Sequence, residues 1–141
     1  MSLLIRALTI EMIADADPTK RWNNRWLEVV PRDVVIKGKR WEACVPEYHM
    51  MCEAIMSDVL GGDEGWLVDF ALLESGQRDL IEADGNAWVA HITRDKVWFE
   101  GLYEQGKGGE VSYAQYKLAV QTYLTFLADP ESKPIEVEFP T

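Results

Sequence analysis

His49, Cys52 and Glu53 stand three and four residues apart in a stretch whose spacing predicts a helix, so their side chains meet on neighbouring faces. A histidine beside a carboxylate could move a proton, and a histidine with a cysteine could start a metal site. The set stops there. Cys52 belongs to the apolar stripe of that helix, and the other histidine, His91, falls in a strand with no second ligand at a ligating distance along the chain. Cys44 and Cys52 are the chain's two cysteines. In a reducing compartment they stay thiols, and they read as small packed hydrophobes. No catalytic residue, metal or cofactor is assigned from these positions, and His49 with Glu53 reads as a solvated pair at the rim of the helix.

The run Gly101-Leu-Tyr-Glu-Gln-Gly106-Lys107-Gly108 is one residue short of a phosphate-cradling loop. That chemistry needs a hydroxyl after the lysine to hold magnesium, and a helix starting directly behind it. Gly108 occupies the hydroxyl position, and the next helix starts only after Ser112, so Gly106 to Gly109 reads as a flexible connector. No serine sits in a Gly-x-Ser-x-Gly elbow. A hydrolase or transferase working through dispersed carboxylates remains as a third reading, because acidic residues are abundant everywhere.

Charge is more informative than any motif. Fourteen basic against twenty-four acidic residues leave a formal net charge of -10 over 141 residues. That field repels nucleic acid and anionic lipid and speeds encounter with a basic protein. Six tryptophans include Trp22 and Trp26 beside Arg21 and Arg25, which could stack bases, but the net charge argues against a nucleic acid partner. Between Glu53 and Asp84 nine acidic residues (Glu53, Asp58, Asp63, Glu64, Asp69, Glu74, Asp79, Glu82, Asp84) face Arg78 alone. The expected partner-binding set is Asp58, Asp63, Glu64, Asp69, Glu74 and Asp84, with Glu104 and Glu110 as second choices.

The elements that must position these residues follow from pattern. No repeat, linker or low-complexity tract divides residues 1–141, so one domain is expected. Leu3 to Ile13 reads as a strand and Ala14 to Asn24 as a polar loop. Trp26 to Val30, Asp33 to Ile36 and Arg40 to Cys44 read as short strands, interrupted at Pro31. From Pro46, apolar residues recur at helical spacing through Tyr48, Met51, Cys52, Ile55, Val59 and Leu60, stopped by Gly61-Gly62. Trp66 to Leu73 reads as a buried strand. Leu80 to Ala83, the turn Asp84-Gly85-Asn86 and Ala87 to Ile92 form a hairpin, extended into a meander by Val97 to Tyr103. Ser112 and Gln115 stand at capping-box spacing before a second helix with a stripe from Ala119 to Leu127. Asp129-Pro130 ends it, and Ile135 to Phe139 alternates as a terminal strand. The whole is an α+β domain, two main helices on a mostly antiparallel sheet. No apolar stretch reaches the ~20 residues that cross a bilayer, and no leader pattern opens the chain, so a cytoplasmic location is expected.

The segment from Val97 to Pro130, Val-Trp-Phe-Glu-Gly-Leu-Tyr-Glu-Gln-Gly-Lys-Gly-Gly-Glu-Val-Ser-Tyr-Ala-Gln-Tyr-Lys-Leu-Ala-Val-Gln-Thr-Tyr-Leu-Thr-Phe-Leu-Ala-Asp-Pro, closing with Ile135 to Pro140, resembles small bacterial proteins encoded beside polymorphic toxins. These include the immunity proteins of contact-dependent growth inhibition. The resemblance covers about the last third of the chain and transfers no individual residue. It implies a small, acidic, cytosolic protein that binds the C-terminal domain of a cognate toxin, commonly a basic nuclease, and blocks its active site or substrate groove. The alternative is a non-catalytic accessory domain that binds another protein or pairs as a homodimer.

Overall fold

A computed structural model describes residues 2–36, 40–61, 65–103 and 107–141. The fold is α+β, with two antiparallel sheets and three α-helices among the described residues. Strand β1 (Leu3–Ile13) and strand β2 (Arg21–Pro31) pair along their full lengths, from Leu3 opposite Pro31 to Ile13 opposite Arg21. The turn between them is closed by Lys20 N–H donating to the Asp17 carbonyl. Two 3₁₀ turns, Arg40–Ala43 and Pro46–Tyr48, lead into helix α1 (His49–Asp58) and then helix α2 (Gly65–Glu74). A meander follows: β3 (Ile81–Asp84), β4 (Trp88–Ile92), β5 (Lys96–Gly101) and β6 (Lys107–Ser112). Helix α3 (Tyr113–Ala128) and strand β7 (Ile135–Phe139) complete the chain. The sheets order as β2-β1-β7 and β3-β4-β5-β6.

Helices α1 and α3 touch both sheets: α1 reaches β2, β4, β5 and β6, and α3 reaches β1, β7, β5 and β6. The core is built from their apolar faces, Met51, Ile55, Tyr116, Ala119, Val120 and Phe126, against Ile5, Leu27 and Val29 of one sheet and Ile92, Val97 and Phe99 of the other. The α3 start is the one its sequence predicts. Ser112 Oγ accepts from Gln115 N–H, and Gln115 returns the bond to Ser112 N–H, satisfying two donors that a helix start leaves open.

Several expectations are corrected. Trp66 to Leu73 lies in a helix, not a strand; a continuous apolar run carries no period that separates the two, and Trp66, Phe70 and Leu73 bury as one helical stripe. Arg40 to Cys44 is not a strand: Arg40–Ala43 form a 3₁₀ turn, tied to the sheet through the Arg40 side chain on Glu28 and not by strand pairing. Asp33 to Ile36 is irregular, and β2 begins at Arg21, inside the expected loop. Val59 and Leu60 fall beyond α1, whose end is closed by Val59 N–H on the Ile55 carbonyl. Residues 107–109 of the expected connector belong to β6. The expected sheet is two sheets, with helices reaching both.

Candidate functional site

The acidic positions scatter into different roles. Asp58 ends α1, and its carboxylate accepts from the backbone N–H groups of Asn86 at 2.7 Å, Ala87 at 3.1 Å and Trp88 at 3.3 Å. Asn86 Nδ2 donates back to the Ser57 carbonyl at 3.1 Å. Asp58 thus caps the β3–β4 turn. This accounts for Gly85, whose φ is not positive: a Cβ there would run into the Asp58 carboxylate. Asp69 is half-buried on α2. Burial raises the Tyr116 hydroxyl pKa, and the charges of Asp58 and Asp69 add to the shift, so both carboxylates act on one buried phenol. Glu74 ends α2, with Lys117 Nζ 2.8 Å from each of its oxygens and Tyr113 Oη donating at 3.1 Å. The lysine bond is the main cause that holds Glu74 below the ordinary carboxylate range. Asp84 is exposed at the end of β3, and Glu110 on β6 lies 3.6 Å from Lys96 Nζ. Asp63, Glu64 and Glu104 lie outside the described residues.

The acidic stretch instead exposes apolar surface. One stripe of α2 packs inward, with Trp66 and Phe70 edge-on to Tyr116 and Phe70 edge-on to Tyr113. Its other sides carry Leu67, Val68 and Ala71, all exposed, and Leu60 just before the helix is 61% exposed. A helix apolar on every side is ordinarily buried on every side.

The strongest internal electrostatics fall elsewhere, on a residue that sequence reading passed over. Glu28 sits mid-strand in β2 with its side chain fully buried. Oε1 accepts from Trp26 Nε1 at 2.9 Å and from Arg40 Nε; Oε2 accepts from Arg6 Nε at 2.9 Å and from Arg40 Nη2 at 2.8 Å. Arg6 Nη2 also lies 2.7 Å from Oε2, a charge contact whose geometry does not align as a further hydrogen bond. Register places Arg6 opposite Glu28 on one side and Glu136 on the other, so one guanidinium joins all three strands. A buried carboxylate with four donors is satisfied, and it straps the Arg40 turn onto the sheet. The only sequence signal was a lone carboxylate in the apolar run Trp26-Leu-Glu-Val-Val30.

Beside this cluster a pocket of about 440 Å³ opens between β2 and the segment from Trp41 to Met56. The free edge of β2 meets sulfur there. Leu27 N–H donates to Met56 Sδ at 3.2 Å, and Val29 N–H bonds the Cys52 thiol. Val45 N–H closes on the Val29 carbonyl at 2.9 Å. Burial, then the Glu28 charge, pushes the Cys44 thiol up to about 11, and burial raises Cys52 as well, so both stay protonated and unreactive at neutral pH. His49 Nε2 donates to the Cys44 carbonyl at 3.1 Å and does not bond Glu53 among the described residues. No group of three or more His, Cys, Asp or Glu is placed to hold a metal among the described residues. No described helix is long and apolar enough to cross a membrane.

No family model, curated protein or solved structure matches the chain.

Proposed function

We infer that this chain is an immunity-type binding protein that acts in the cytoplasm and neutralises a cognate toxin domain, a basic nuclease, by covering its active site or substrate groove. The observation that carries the reading is the outer side of α2. Leu67 and Val68 are 44% and 58% exposed on a helix whose other stripe is core. Exposed apolar surface rimmed by charge marks a protein contact. The formal charge of -10 selects the partner's sign, because a nuclease surface that holds phosphates is basic. Asp84, exposed at the end of β3, is the carboxylate best kept for the rim. Asp58 is withdrawn from the contact set by its hairpin bonds, and Glu74 is held by Lys117.

The test uses the toxin domain encoded beside this chain and the double variant Leu67→Asp, Val68→Asp. Loss of a central apolar contact costs about 2 kcal/mol, so affinity should drop roughly thirtyfold or more while thermal stability holds. Unchanged neutralisation by the double variant would sink the assignment. Loss of self-association in place of toxin binding would move the face to the homodimer reading.

A further inference from the structure

The pocket beside Glu28 has no role in the contact proposed for α2, yet its walls define a ligand chemistry. Indoles of Trp26 and Trp41, the thioethers of Met50 and Met56 and the side chain of Val45 line it, a mainly apolar surface of the size that takes small organic molecules. Trp41 and Met50 are 53% and 38% exposed, so apolar wall is left open to solvent at this pocket. The polar groups are sorted by what they can still accept. Glu28 is saturated by its four donors, and Arg6 and Arg40 are held on it. His49 Nε2 is committed to the Cys44 carbonyl. Glu53 lines the pocket, is exposed, and has no hydrogen-bond or ion-pair partner among the described residues. The Trp41 indole N–H and the Tyr48 hydroxyl, which accepts from Gln115, can each donate. The one open charge of this pocket among the described residues is negative, the Glu53 carboxylate. Aromatic faces and polarisable sulfur favour the same sign of ligand.

We propose that this pocket binds an organic monocation with a compact apolar body, an aralkylamine in class, its ring between the indole and thioether walls and its ammonium on Glu53. No covalent step is involved.

The experiment follows the methyl resonances of Met50 and Met56 in the full chain, assigned by single Met→Leu variants, during titration with three probes of one shape. Phenethylamine should shift both methyls saturably, about threefold tighter than 2-phenylethanol and about tenfold tighter than 3-phenylpropanoate, the range expected of one solvent-facing charge pair. Glu53→Gln, an exposed change, should bring phenethylamine down to the level of the alcohol without moving thermal stability. Equal affinity for all three probes would leave a non-selective apolar cleft and overturn the proposal. So would tighter binding of the carboxylate, which would assign the site to the arginines. Absence of shifts with every probe, with Met50 and Met56 perturbed only by the toxin domain, would give the pocket to a partner side chain and likewise overturn it.

Discussion

At the scale of single residues, Glu28 shows how a charge can be buried at no obvious loss. Each oxygen has two donors, and two arginines bring positive charge to one carboxylate. Removing one member leaves the others buried without a counter-charge, which is costlier than never having buried them. Arg6 and Arg40 keep 16% and 26% side-chain exposure, so water recovers part of the loss. Glu28→Ala is therefore expected to cost roughly 3 kcal/mol, the low end for a broken buried pair. Glu28→Gln, which keeps shape and one acceptor, should cost less. Urea unfolding monitored by tryptophan fluorescence checks both, and a Glu28→Ala variant as stable as the parent would remove the strap from the account.

At the scale of elements, the tie between α1 and the β3–β4 hairpin rests on Asp58 and the missing Cβ at Gly85. Three backbone N–H groups of the turn converge on one carboxylate, and the space a side chain would need at Gly85 is filled by that carboxylate. Gly85→Ala must displace Asp58 and should cost about 1–3 kcal/mol, as overpacked sites do. Asp58→Ala leaves the turn donors unpaired and should cost about 1–3 kcal/mol. The two share one cause, so the double variant should fall well short of the sum, with a coupling of about 1 kcal/mol or more in a double-mutant cycle. Strict additivity would mean that the hairpin is held by its strands alone.

At the scale of the molecule, charge and exposed apolar surface do different things for a binding protein. On the proposed function, a net charge of -10 would act at a distance and set how fast a basic partner arrives, and the exposed Leu67 and Val68 would act on contact and set how long it stays. The association rate with the toxin domain should fall about tenfold from low to physiological ionic strength, and the dissociation rate should change far less. The Leu67→Asp, Val68→Asp variant should reverse the pattern, raising the dissociation rate chiefly. Stopped-flow measurements over a salt series separate the two, and a salt-independent association rate would remove the electrostatic steering.

What the amino-acid sequence determined by itself is everything written in neighbours a few residues apart. Ser112 and Gln115 are three positions apart, and the capping box they predict forms. The alternation of Ile135 to Phe139, the long strand from Leu3 and the three consecutive strands of the meander are likewise short-range patterns, and each is present. The sum of charges needs no fold at all. Tertiary structure decided whatever depends on residues far apart. Asp58 meets Asn86 across 28 positions, and Glu28 meets Arg6 across 22 and Arg40 across 12, so nothing local marked these carboxylates as structural. The run from Trp66 to Leu73 became a helix because Tyr113 and Tyr116, more than forty residues on, gave its stripe of Trp66 and Phe70 a surface to pack on. Periodicity reports which face a chain can bury; the surface it is buried against is supplied by the rest of the molecule.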